Sequence, residues 1–166
     1  MKLIPLSQFG KKHKGKYFAK VDDEDYDFLM QWRWMINFSI RTKYAKRNTI
    51  NNEGNKTLIA MQRIIMNCPD NFMVDHIDRD GLNNQKSNLR LVTRIENGYN
   101  RTKNVDCVSK FKGVTFNKSA NRWQVQIVAN GKRYYCGVFK KELDAAKAYN
   151  EVALKYHGEF AVLNKF

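Results

Sequence analysis

Residues Val74 to Asn100 read VDHIDRDGLNNQKSNLRLVTRIENGYN. This short interval holds Asp75, His76, Asn83, Asn84, Asn88, Asn97 and Asn100, with Val74, Ile77, Leu82, Leu89, Leu91, Val92 and Ile95 spaced between them. A carboxylate, an imidazole and several side-chain amides, anchored by apolar residues on so little chain, form a setting for one hard metal ion and one base. Phe72, Met73 and Val74 run apolar into Asp75-His76, the pattern of a strand that ends at the site. Asp80-Gly81 and Asn83-Asn84 are loop signals. The spacing of Leu89, Val92 and Ile95 predicts a helix from about Asn88 through Tyr99. The unit reads as strand, loop, short strand or extended turn, then helix.

Hydrolysing a phosphodiester requires an activated water, neutralisation of the phosphoryl oxygens and help for the leaving oxygen. A neutral histidine takes a proton near neutral pH because its ordinary pKa is about 6.5. A carboxylate with amide oxygens suits Mg²⁺, which prefers oxygen ligands and keeps waters that a phosphate can displace. Asp75 and His76 place a metal ligand and a base on adjacent residues. Asn83 and Asn84 read first as turn chemistry, with direct catalysis the lesser alternative, and Asp78 and Asp80 as solvated loop carboxylates.

The rest of the composition restricts the partner. Thirty Lys plus Arg against sixteen Asp plus Glu give a net charge of +14. That excess points to a polyanion, nucleic acid ahead of a membrane surface because no basic amphipathic surface helix is evident. Residues 1–100 carry 17 basic and 11 acidic side chains, and residues 101–166 carry 13 and 5, so two contact surfaces are expected rather than one basic tail. No apolar run is long enough for a spanning helix, and the mildly apolar start of MKLIPLSQFGKKHKGK is too short to be expected as a signal peptide. Cys68, Cys107 and Cys136 are odd in number and lack a C-x-x-C pair, which argues against a disulfide framework or structural zinc and fits a reducing cytoplasm.

Before the central stretch, Tyr17, Ala19 and Val21 alternate as a strand, and the acidic run Asp22–Asp25 opens a helix with Tyr26, Leu29 and Met30 on one face. His13, in a lysine-rich cluster, reads as solvated. Trp32 and Trp34 read as a return to strand and as core. TKYAKRNTI and TLIAMQRIIM are a further strand and a strand leading into a short helix, parted by the polar turn 51–55. The whole is a small β-rich segment packed on the central motif.

Residues 101–108 form a linker. KGVTFN, RWQVQIVA and KRYYCGVF are three strands, the last two joined by the hairpin signal Asn130-Gly131. KELDAAKAYNEVALKYHG then places Ala145, Tyr149, Val152 and Tyr156 on one helix face, with Gly158 as the stop. A sheet covered by one helix leaves its other face free, and Arg122, Gln124 and Gln126 alternate with Trp123, Val125 and Ile127 toward that free face. Arginine pairs with guanine and glutamine with adenine. Lys112, Arg122, Gln124, Gln126, Arg133 and Tyr135 are the expected DNA contacts. His157 reads as a capping or packing group.

Residues 74–100, with DHID, LNN, SNLR and EN, resemble the HNH nuclease motif in the form whose last motif residue is asparagine, found in phage homing endonucleases. The resemblance implies that His76 is the general base, Asn88 its orienting partner, and Asp75 with Asn97 the ligands of one divalent metal ion, Mg²⁺ with Mn²⁺ as an alternative. VDDEDYDFLMQWRW resembles the amino-terminal segment of such nucleases. Many relatives carry a His-Arg pair before the motif where this chain has Gln62-Arg63, which keeps a guanidinium, Arg63, as a phosphate contact. Residues 109–166, with FKGV, RWQVQI, KRYYCGVF and ELDAAKAYNEVALKYHGEFAVLN, resemble the APETALA2 or ethylene-response-factor DNA-binding domain. Thr115 and Val128 stand where plant members have further arginines, so their base preference does not transfer.

The expected fold class is α+β: a ββα-metal (HNH) nuclease module with a β-rich amino-terminal segment over 1–100, a linker at 101–108, and a three-stranded antiparallel sheet on one helix over 109–166. The expected function is a site-recognising, metal-dependent DNA endonuclease of the homing type, with duplex DNA as partner. It has no small-molecule cofactor, acts as a monomer or homodimer, and works in the cytoplasm of a bacterial or phage-infected cell. A non-catalytic DNA-binding regulator with a decayed nuclease module is the alternative, and a structured-RNA binder a third.

Overall fold

Residues 1–7, 16–101, 103 and 108–166 are described by the computed structural model. His13, Cys107 and most of the linker read at 101–108 lie outside the described residues. The chain divides into two units, Met1–Thr93 and Arg94–Phe166. Among the described residues the architecture is mixed, with several small antiparallel sheets and few helices. None of its helices is long and apolar enough to cross a membrane.

Period-two alternation builds the first sheet. Strand β1 (Lys2–Leu6) pairs antiparallel with β2 (Tyr17–Val21), Ile4 opposite Ala19. Ile4, Leu6, Ala19 and Val21 therefore turn to one face and are buried. Helix α1 (Asp23–Leu29) sets Asp23, Glu24 and Asp25 in its first turn, where the helix dipole favours negative charge, and buries Leu29. Met30, expected beside Leu29, lies past the end of the helix and is exposed.

Trp34 is buried, and its indole N–H donates to the Leu29 carbonyl at 2.8 Å. Trp32 stands edge-on to it. Both tryptophans pack in the core, but they precede the strand instead of forming it. That strand is β3 (Met35–Phe38), which pairs with β4 (Lys43–Ile50), and β4 with β5 (Lys56–Ala60). The turn between β4 and β5 closes on Asn51, whose Oδ1 accepts from the Glu53 and Asn55 amides. Strand β5 runs directly into α2 (Met61–Ile65), which adds Met61 to the core of Trp34, Ile36 and Ala45.

The hairpin that ends this unit joins β6 (Met73–His76) to β7 (Leu89–Val92), with Asp75 opposite Arg90 and His76 opposite Leu89. The helix expected from Asn88 is corrected here. Residues 89–92 are strand, and helix α3 covers only Arg94–Tyr99. Leu89 and Val92 have helical spacing, but both are buried strand residues whose backbone groups are claimed by pairing with β6.

In the second unit, β8 (Val114–Asn117), β9 (Arg122–Ala129) and β10 (Lys132–Phe139) form an antiparallel sheet in the order β10-β9-β8, with β9 central. Helix α4 (Glu142–His157) follows. Val125 and Ile127 share a core with Ala145, Ala146, Tyr149 and Ala153, and the two adjacent alanines let helix and sheet approach closely. Gly113 (φ +74°) lies under Tyr149, where a Cβ would sit 2.1 Å from the ring, so only glycine fits. The Asn130-Gly131 turn has φ of 50° and 73°, the double left-handed geometry that its sequence predicts for a tight hairpin.

Candidate active site

The β6–β7 loop is built by short polar side chains. The Asp80 amide donates to Asp78 Oδ1 at 2.8 Å, the Leu82 amide to Asp80 Oδ1 at 3.1 Å, and Asn83 Nδ2 to Asp78 Oδ2 at 2.7 Å. Asp78 and Asp80, read as solvated, are thus the loop's internal acceptors. Burial pushes the Asp78 carboxyl up, but bonds from Asn83, the Asp80 amide and Asn88 outweigh this and hold it below the usual carboxylate range. Asn88 closes the loop: its Oδ1 accepts from the Asp78 amide at 3.0 Å, and its Nδ2 donates to Asp78 Oδ1 and to the Asn83 carbonyl.

The amino-terminal sheets hold this loop from outside. Asp22, just before α1, accepts from Gln85 Nε2 and from the Lys86 amide, and these bonds lower its carboxyl pKa. The Lys20 amide donates to the Leu82 carbonyl, and the Asn84 amide donates to the Lys20 carbonyl, both at 2.8 Å. Gly81 donates to Thr42 Oγ1 and presses against the Lys43 carbonyl and the Tyr44 ring, where a Cβ would stand 2.3 Å from the oxygen.

Inside this frame His76 is 5% exposed and Asp75 7%. Burial lowers the His76 pKa, against opposing pulls from Asn84 and from the carboxylates of Asp78, Asp75 and Asp80. The imidazole is therefore neutral at neutral pH, the form that can accept a proton. Its Nε2 lies 3.3 Å from Asn84 Oδ1, and the Tyr44 ring stands 5.9 Å away, centroid to centroid. Asp75 Oδ2 accepts from Arg90 Nε at 3.1 Å and Nη2 at 2.9 Å. Arg90 is the cross-strand partner of Asp75, a relation invisible while 89–92 is read as helix. Sequence reasoning also missed Asn84 at the imidazole and Tyr44 beside it. The LNN doublet marks the loop, but which asparagine meets the ring depends on the path the loop takes.

Asp75 is the oxygen donor type that Mg²⁺ takes. Arg90 engages Asp75 Oδ2, so an ion held through that oxygen would share it with the guanidinium. No group of three His, Cys, Asp or Glu side chains converges among the described residues.

A family model described as HNH endonuclease matches residues 67–99, the span from the end of α2 through α3. An uncharacterized HNH endonuclease of Acanthamoeba polyphaga mimivirus is 39% identical over 148 residues, which cover 89% of this chain and 75% of the viral protein. The chain belongs to the HNH endonuclease family. Protein 3.8 of Escherichia phage T7 is similar as well, 30% identical over 95 residues, 56% of this chain and 76% of the phage protein. APETALA2-like protein 2 of Oryza sativa is 43% identical over 58 residues, covering 34% of this chain and only 13% of the plant protein.

The other residues singled out in this HNH endonuclease fall in several places. Asn97 is on α3, in the second unit. Arg63 donates to the carbonyls of Phe72, Cys68 and Pro69, so it braces the entry to β6. Lys112 donates from Nζ to the Tyr99 carbonyl, which ties the end of α3 to its own unit. Along β9 and β10, Gln126 is paired with Tyr135 and Val128 with Arg133, and Tyr135 is 72% exposed. Gln124, Gln126, Tyr135 and Arg133 thus share the sheet face opposite Val125 and Ile127, and Arg122 lies at its edge opposite Asn117.

Proposed function

We propose that the protein is a site-recognising DNA endonuclease of the homing type that hydrolyses phosphodiesters with one divalent metal ion, Mg²⁺ or Mn²⁺. The observation that carries this is a buried, neutral His76 beside the Asp75 carboxylate at the end of β6, inside the segment that matches the HNH model. His76 takes a proton from water as the water oxygen bonds to phosphorus. The bond to the 3′ oxygen breaks, that oxygen takes a proton from solvent water, and a 5′ phosphate and a 3′ hydroxyl result. Asp75 and Asn97 are the metal ligands in this reading, paired by their positions in the motif. When bound, the ion neutralises charge on the phosphoryl oxygens. Asn88 supports the reaction by keeping the β6–β7 loop closed.

The second unit is the duplex-binding part in this proposal. Its open sheet face carries Arg122, Gln124, Gln126, Arg133 and Tyr135, and its likeness to the plant APETALA2-like protein supports the reading. One motif per chain nicks as a monomer and cuts both strands as a dimer. Supercoiled plasmid incubated with Mg²⁺ is expected to be nicked, and EDTA to stop it. His76→Ala should lose about 10²–10⁴-fold in rate while binding duplex normally. Undiminished nicking by that variant would sink the assignment.

A further inference from the structure

Asn88, the residue that the motif nominates as partner of the histidine, spends both of its polar atoms on the β6–β7 loop. The side chain at the imidazole is Asn84. It is fully buried, its backbone amide is clamped to the Lys20 carbonyl of β2, and its Oδ1 lies 3.3 Å from His76 Nε2. An amide oxygen only accepts, so this contact places the ring proton on Nε2 and leaves the lone pair on Nδ1.

We infer that Asn84 is a positioning residue for the nuclease reaction: it fixes His76 in the Nε2-protonated tautomer and so makes Nδ1 the basic atom. The inference rests on the reading of His76 as base. Asn84 Nδ2 is buried and has no hydrogen-bond partner among the described residues. A buried donor without an acceptor costs stability, and an apolar side chain would avoid that cost. Asn84 therefore contributes orientation at the expense of fold stability. Because its backbone is held by β2, the amino-terminal sheet takes part in setting the tautomer.

Histidine tautomers are read directly from long-range ¹H–¹⁵N correlations on the uniformly labelled 166-residue chain. With three histidines in the sequence, His76 is assigned by the signal lost in His76→Gln. The wild-type protein should show His76 protonated on Nε2 alone. Asn84→Ala should give a mixture of tautomers and lower kcat for nicking by about 10²-fold per folded molecule, with duplex affinity unchanged. Asn84→Asp, which keeps the acceptor, should restore the single tautomer and recover at least about tenfold of the lost rate. Protonation on Nδ1 in the wild type, or an unaltered tautomer in Asn84→Ala, overturns the inference. So does a rate loss in Asn84→Ala that only tracks lost folded protein. A wild-type chain that shows the single tautomer yet cuts no DNA leaves the orientation standing and removes the nuclease reading instead.

Discussion

Arg90 and Gly81 set the tolerances of the site at the scale of single residues. Asp75 and Arg90 side chains are 9% and 15% exposed, so removing the guanidinium leaves a carboxylate buried beside His76. Arg90→Ala should cost about 3–5 kcal/mol, the usual result of breaking a buried ion pair from one side. Denaturant titration of Arg90→Ala, Asp75→Ala and the double variant measures this, and the double variant should recover part of the loss. Gly81→Ala should cost about 1–3 kcal/mol, because its Cβ meets the backbone oxygen of Lys43, which cannot rotate away. His157 titrates in the second unit. Burial lowers its pKa, the Val128 carbonyl at 2.9 Å opposes this, and nearby Lys112 reinforces it. A histidine held low in the folded state binds its proton more readily when unfolded. Its stabilising contribution is therefore complete above about pH 6.5 and fades as pH falls through the lower folded value. The melting temperature of the wild type should fall across that window more steeply than that of His157→Gln.

At the scale of elements, most strands were legible because alternation records burial directly: Ala19 and Val21 in the first sheet, Val125 and Ile127 in the last, whereas the strand of Ile4 and Leu6 went unread because its five residues alternate beside no turn signal. The misread span is 89–92. Four residues carry too little pattern to separate strand from helix, and pairing with β6 decides it. Asp75, His76 and the loop signals could be read in the chain. Asn84 against His76 and Arg90 against Asp75 could not, since one depends on a loop's path and the other on strand register. Asp22 shows how the elements depend on each other: hydrogen bonds from Gln85 and the Lys86 amide hold the loop across a long sequence separation. Asp22→Ala should destabilise the first unit by about 1.5–3 kcal/mol at neutral pH. The effect should vanish in acid, because a carboxylate with a lowered folded pKa gives up its contribution as pH falls through that value.

The net charge of +14 belongs to the whole molecule and sets its dependence on salt. Each phosphate contact adds about 0.9 to the slope of log affinity against log salt on duplex DNA. Arg122→Ala with Arg133→Ala should therefore flatten that slope by about 1.8, measured by fluorescence anisotropy over a salt series. An unchanged slope would remove both residues from the interface. The anchoring of α3 bears on how such chains can be recombined. Tyr99 stacks on His157 with centroids 3.8 Å apart, its hydroxyl accepts from the Asn130 amide at 2.8 Å, and its carbonyl accepts from Lys112. The helix that closes the HNH motif is thus fitted to the particular sheet and helix of its own unit. A chimaera that keeps residues 1–100 and imports a foreign sheet and helix would strip Tyr99 of all three contacts. Joining at Thr93 and importing the incoming chain's own counterpart of α3 preserves them, so exchanging the second unit calls for a junction inside the motif that defines the family.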